Sequence, residues 1–190
     1  MPSPIAAKFR MFALALFAAT ALPVLAQHGD VPLAPPPALD ALAAGATSRT
    51  EFTFDRSMMQ FADNYIAQAD AEVKRAASGL NAITVHTYRF AQGTDYDTRA
   101  MNAVAASYHA SGWKHLVNAN AKGGSASDVW MHFEGANINS IAVLIRGERE
   151  MTFLSIACTL RPLDLLHLSG HFGIPKMDSS AVMVPAPDGR

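Results

Sequence analysis

The sequence has little of what most recognisable functional classes require. Its 190 residues include a single cysteine, Cys158, so no disulfide can form within the chain. Lys and Arg total 15 against 16 Asp and Glu, a formal net charge of −1, and the charged residues are scattered. Nucleic acids and anionic lipids select basic stripes. Neither is therefore expected as a partner.

Catalytic and nucleotide-binding motifs are also missing. The sequence has no Gly-x-Ser-x-Gly segment, and residues 123–127 have neither the spacing of a hydrolase nucleophile nor the lysine of a phosphate-binding loop. Cys158 lies on the apolar face of a predicted strand, where burial makes a thiol inert. The sequence favours a protein that is not an enzyme and has no cofactor, with an unrecognised hydrolase as a lesser alternative.

The N-terminus has the parts of a secretory signal peptide. Lys8 and Arg10 precede an apolar run, 11–22, of about 12 residues, which is shorter than the roughly 20 residues of a membrane span. Cleavage is predicted after Ala26, with a retained anchor or a buried core helix as alternatives. The new N-terminus, Gln27, is not the cysteine that lipid attachment needs. We expect a periplasmic or secreted protein with no stable membrane span after cleavage.

Composition divides the chain into four parts. Residues 1–26 are the signal peptide, and residues 27–50 form a flexible arm rich in Pro and Ala, in which 38–46 can form a short helix. Residues 51–175 are predicted to be a single α+β domain. Residues 176–190, which contain two prolines and a glycine, are predicted to be a disordered tail.

Within the predicted domain the hydrophobic period changes several times, and each change marks a helix or strand. The predicted order is β-α-β-α-β-β-β-β-α, ending in a four-strand meander and a leucine-rich helix that begins at Pro162. Strands that alternate imply a two-layer sandwich with a mainly antiparallel sheet, covered on one face by about three helices. The predicted strands are 51–55, 80–90, 113–119, 128–134, 138–146 and 150–160, and the predicted helices run from Asp55 or Ser57 to Gly79 with a break near Ala67, from Asp95 or Asp97 to Gly112, and from Pro162 to Gly170 or Gly173.

One set of residues has the spacing of a metal site. Asp164, His167 and His171 are spaced i, i+3 and i+7, which places them on one face of an unbroken helix. Two imidazoles and a carboxylate suit zinc. Gly170 lies within the set and favours an early end to the helix, so the alternative is a solvated helix edge.

Three further histidines lie on separate predicted strands. Neighbouring strands can bring two of His86, His115 and His132 together as a metal-binding or proton-binding pair. The parity of His132 with Trp130 places it on the predicted wetter face of the sheet, where an ordinary polar surface is the alternative.

Two segments resemble a known family. The strand entry Trp113-Lys114-His115-Leu116 and the strand-turn-helix segment 153–166 resemble the bacterial domain of unknown function numbered 4252. The resemblance covers about residues 50–175 and implies a small exported or lipid-anchored envelope protein, with no catalytic residues to carry over. This sequence lacks the lipid-attachment cysteine of many members, and Thr159-Leu160 replaces a glycine that is more typical of the strand end.

Together these features predict a noncatalytic envelope module. We expect it to bind an envelope protein of unknown identity through a sheet edge, for which 113–119 is the candidate strand, or through a helix face. The leucines of the last helix are apolar enough to dock a partner, although covering the sheet explains them more simply. The alternative function is a periplasmic small-molecule or metal-binding protein with the set Asp164, His167 and His171.

Overall fold

The fold is built on one antiparallel sheet. This computed structural model describes residues 32–61, 69–118, 126–168 and 181–184, so the predicted signal peptide lies outside the described residues. The described strands are β1 (Ser48–Phe54), β2 (Leu80–Arg89), β3 (Lys114–Asn118), β4 (Ala126–Glu134), β5 (Asn137–Arg146), β6 (Glu150–Leu160) and β7 (Ala181–Val184). The described helices are α1 (Ala38–Leu42), α2 (Arg56–Phe61), α3 (Ala71–Ser78), α4 (Thr98–Ala110) and α5 (Pro162–Leu168).

The sheet has the strand order β1-β2-β6-β5-β4-β3-β7, and every neighbouring pair is antiparallel. Strands β3 to β6 are consecutive neighbours, so the predicted meander is confirmed, as is the α+β class. The β4–β5 turn shows why the sequence forms hairpins here. Gly135 has a φ of 61°, a backbone conformation that glycine adopts without steric cost.

The helix ends follow the predicted capping residues. The Asp55 carboxylate accepts a hydrogen bond from the backbone N–H of Met58 at 2.9 Å, at the start of α2. Asp97 accepts one from Arg99 N–H at 2.9 Å and caps α4. Gly112, with a φ of 78°, follows the end of α4. The predicted break near Ala67 lies outside the described residues.

Helices cover both faces of the sheet, whereas about three helices were expected on one face. Helices α3 and α5 pack on one face and α1 and α4 on the other. The reason is the composition of the central strands, because consecutive residues such as Val143 and Leu144 are both fully buried and face opposite sides. The first core contains Ala76, Ile83, Val129, Ile141, Val143, Leu154, Ile156, Cys158, Leu165 and Leu168. The second contains Leu39, Leu42, Tyr88, Val104, Tyr108, Trp113, Trp130, Leu144, Met151 and Phe153.

Regular structure also occurs in the segments predicted to be an arm and a tail. Leu39 and Leu42 of α1 are buried against the core that α4 covers. β1 begins at Ser48, three residues before the predicted strand. Residues Ala181–Val184 pair with β3, which offers an unpaired edge to any extended segment that reaches it. None of the helices in the described ranges has the length and apolar character that crossing a bilayer requires.

Candidate functional site

The Asp164 carboxylate, the first member of the predicted metal set, is buried between two arginines. Arg161 donates from Nε to Oδ2 at 3.0 Å and from a terminal nitrogen to Oδ1 at 2.8 Å. Arg75 on α3 adds a contact of 3.2 Å to Oδ1. Asp164 Oδ2 also accepts the backbone N–H of Arg161, which caps α5. The hydrogen bonds from Arg161 lower the pKa of Asp164 well below its usual value, against the raising effect of burial.

Of the remaining members of the set, only His167 is described, and it lies near Glu72 rather than Asp164. His167 Nε2 lies 3.9 Å from a carboxylate oxygen of Glu72, which also pairs with Arg75. His171 lies outside the described residues. Among the residues that the structure describes, no group of three or more His, Cys, Asp or Glu side chains is placed to hold a metal ion. The metal set stays a prediction, and the two guanidinium groups on Asp164 oppose a cation there.

Each of the three strand histidines has a polar neighbour of its own. His86 on β2 lies 3.5 Å from Glu51 on β1. His115 and His132 do lie on neighbouring strands and on the same face, but His115 pairs with an aspartate and His132 Nδ1 is 2.8 Å from Asn139 Oδ1. The face they share is not the wetter one, because Trp130 on that face is fully buried beneath α4.

A charged network is buried between β3, β4 and β5. Asp128 Oδ1 is 2.9 Å from His115 Nε2, and Asp128 Oδ2 accepts a hydrogen bond from Arg146 at 2.7 Å. The side chains of His115 and Asp128 are 7% and 4% exposed. Burial raises the pKa of Asp128, but the hydrogen bond with His115 and the charge of Arg146 outweigh burial and hold that pKa below its usual value.

The histidine of this network belongs to a row of stacked rings. The His115 ring stacks on Trp130, its cross-strand neighbour, with centroids 4.7 Å apart and planes inclined by 11°. Tyr108 of α4 stacks on the same indole at 4.7 Å. His115 Nδ1, Trp130 Nε1 and Arg146 Nε are buried and have no hydrogen-bond partner among the described residues. Groups of this kind are usual binding partners of internal water.

Within the described ranges, no hydroxyl or thiol lies within hydrogen-bond reach of the His115 ring. A histidine oriented by an aspartate is the arrangement of a general base, but a nucleophile must then lie within hydrogen-bond reach. The hydroxyls of Ser107 and Ser111 on α4 donate to backbone carbonyls of their own helix. The Cys158 thiol belongs to the core on the other face, and burial raises its pKa to about 12. The network links three strands, because Asp128 of β4 contacts His115 of β3 and Arg146 of β5.

Strand β1 is the exposed edge of the sheet. β2 lies on one side of it, and within the described ranges no strand lies on the other. All seven of its residues are exposed. An edge strand has backbone N–H and C=O groups directed away from the sheet, and these can pair with another chain.

The two faces of β1 differ in chemistry. Phe52 and Phe54 lie on the α3/α5 face and are 48% and 40% exposed, with ring centroids 4.4 Å apart in an edge-to-face arrangement. On the opposite face, Arg49 is 3.6 Å from Asp40 and Glu51 is near His86. An exposed aromatic pair beside unpaired backbone groups is suited to binding an extended chain.

The strand predicted as the binding edge is internal. The structure places β3 between β4 and β7, so Lys114–Asn118, the described strand within the predicted 113–119, is not at the edge of the sheet. The prediction failed because β7 comes from the segment expected to be a tail. Asp128 and Arg146 were missed as well, although an aspartate beside Val129 and Trp130 in an apolar strand indicates a buried carboxylate that needs a partner.

Comparison with known proteins identifies the family of this chain. Comparison with curated proteins finds no match, and comparison with solved structures finds none either. One family model, described as a domain of unknown function (DUF4252), matches residues 45–168. That range runs from just before β1 to the end of α5 and includes the edge strand and the buried network. The chain therefore belongs to the DUF4252 family.

Proposed function

We propose that the protein is an exported, noncatalytic module that binds another protein chain of the cell envelope through strand β1. The observation that carries this proposal is the exposure of every residue of β1 at the sheet edge, together with the aromatic pair Phe52 and Phe54. Strand addition supplies affinity through main-chain hydrogen bonds and specificity through alternate side chains.

The arrangement of charge supports specific pairing over general aggregation. Arg49 and Glu51 lie on the face of β1 opposite Phe52 and Phe54, and charged side chains on an edge strand discourage pairing with arbitrary strands. Phe52 and Phe54 then select partners that present an apolar side chain at the matching positions.

Affinity purification with matched variants tests the binding role. The tagged full chain, expressed in its native host, is compared with Phe52→Lys and with Leu166→Lys, which makes the same kind of change at a 58% exposed residue of α5. We expect the associated envelope protein to be lost from Phe52→Lys and retained by Leu166→Lys. Equal recovery of every associated protein from both variants would contradict the proposal.

Export is tested on the same cells. We expect the mature chain to begin at Gln27 and to fractionate with the periplasm or the medium. The reason is that residues 8–26 contain the charged start, the apolar run and the cleavage residue of a signal peptide. N-terminal sequencing of the recovered protein measures this directly. A chain that begins at Met1 and fractionates with the cytosol would contradict export.

A further inference from the structure

We infer that the chain that pairs with β1 is a second copy of this protein, joined antiparallel about a twofold axis at Phe52. This inference rests on the proposed function, since it names the partner of the same strand. We base it on a comparison of which residues each possible register places opposite one another.

Symmetry leaves few registers. A twofold axis perpendicular to the sheet keeps each face of one copy continuous with the same face of the other, so every residue faces one of equal parity. The axis must then pass beside a residue rather than between two. Only Thr50, Glu51 and Phe52 as centres keep five or more residue pairs within Ser48–Phe54.

Two properties distinguish the three possible registers: which charged residues they oppose and how much aromatic surface they cover. Centring on Glu51 sets it against the partner's Glu51, and like charges directly opposite are destabilising. Centring on Thr50 sets Arg49 against the partner's Glu51, but exposed ion pairs add little. Both groups already lie within 3.6 Å of charged or ionisable partners in their own chain. That register also leaves the two pairs of phenylalanines apart.

Centring on Phe52 joins the aromatic residues. Phe52 then faces the partner's Phe52, and Phe54 faces the partner's Thr50 with the partner's Phe52 on its diagonal. Four rings that are each 40–48% exposed in the single chain form one continuous strip. Glu51 faces the neutral side chain of the partner's Thr53, so this register sets no like charges directly opposite each other within β1. Of the three registers, this one alone joins the exposed phenylalanines of the two copies without setting like charges opposite each other.

Cysteine crosslinking of the mature protein reads the register. The native Cys158 is fully buried and does not contribute. Under mild oxidation, Phe52→Cys should form a disulfide-linked dimer, because the axis places it opposite itself at a cross-strand distance. Thr50→Cys and Glu51→Cys should remain monomers on a nonreducing gel, whereas an equal mixture of Thr50→Cys and Phe54→Cys should crosslink. Crosslinking of Thr50→Cys or Glu51→Cys alone, without Phe52→Cys, would overturn the inference.

Sedimentation measures the association without any crosslink. The unsubstituted protein should be a dimer at about 100 µM, and Phe52→Lys should raise the dissociation constant about tenfold or more, whereas Leu166→Lys should not change it. A monomeric unsubstituted protein would overturn the inference. If the envelope partner were still lost from Phe52→Lys, the proposed function would stand without the dimer. If the protein were monomeric and no associated protein were lost from Phe52→Lys, both the dimer and the proposed function would be contradicted.

Discussion

Asp128 is a buried carboxylate that two basic side chains on neighbouring strands hold in its ionised form. Its hydrogen bonds to His115 and Arg146 satisfy both oxygens, and only 4% of its side chain is exposed. A buried ion pair such as Asp128 and Arg146 is weak evidence of net stabilisation, because removing charges from water costs several kcal/mol for each ion. Its geometry nevertheless fixes β3, β4 and β5 relative to one another at one end of the sheet.

Removing the Asp128 charge should therefore destabilise the protein far more than removing an exposed charge. Asp128→Asn keeps the shape but leaves Arg146 without a counter-charge, and we expect it to lower the free energy of unfolding by about 2–4 kcal/mol. Glu150→Gln is the matched control, because the Arg89–Glu150 pair is 70% and 50% exposed. The control should change stability by less than about 1 kcal/mol. Urea unfolding measures both, and equal effects would show that the network adds nothing specific.

At the scale of helices and strands, local pattern predicted the elements but not their neighbours. Helix caps and tight turns are determined by a few neighbouring residues. The sequence could therefore indicate α4 from Asp97 and Gly112, and the β4–β5 hairpin from Gly135. The edge of the sheet depends on which distant segments pair. A four-residue strand at Ala181–Val184 covers β3, and no periodicity over four residues can predict that contact.

The buried network was hidden from the sequence for a similar reason. Asp128 lies 13 residues from His115 and 18 residues from Arg146, so only the register of three strands brings them together. The predicted metal set was inferred from local spacing alone. Asp164 and His167 both lie on α5, but Arg161 and Arg75 from α3 already donate hydrogen bonds to Asp164. The sequence could predict which residues share a face of α5, but it could not predict which side chains pack against that face.

Gly79 tests how closely α3, β2 and β6 approach. A Cβ at this position would lie 2.7 Å from the carbonyl oxygen of Thr159, while the Gly79 carbonyl accepts the N–H of Thr159 at 2.7 Å. We expect Gly79→Ala to destabilise the protein by about 1–3 kcal/mol, because the backbone cannot move without lengthening that hydrogen bond. Gly45→Ala is the control, since its nearest contact would be 3.9 Å to Phe90. Thermal unfolding that ranks Gly45→Ala as the more damaging change would contradict this packing.

At the scale of the whole molecule, two ionised aspartates lie on opposite faces of the same sheet. Asp128 lies on the face that α1 and α4 cover, and Asp164 joins α3 to α5 on the other face. Both have a pKa below the usual value of 3.8 in the folded chain. Each face thus contains a carboxylate that must be ionised to keep its hydrogen bonds with basic partners.

Acid should therefore weaken both faces of the fold. A carboxyl group whose pKa is lowered by folding contributes its full stabilisation above its unfolded pKa of about 3.9, and loses it as the pH falls through the folded pKa. We expect the free energy of unfolding to fall steadily below about pH 4. Asp128→Asn and Asp164→Asn should each lower stability at neutral pH and flatten this acid slope. The double variant should flatten it by the sum of the two, because sites on opposite faces with no shared partner act independently. Urea unfolding of the four proteins between about pH 2 and pH 6 measures the slopes, and parallel curves would show that neither carboxylate contributes to acid sensitivity.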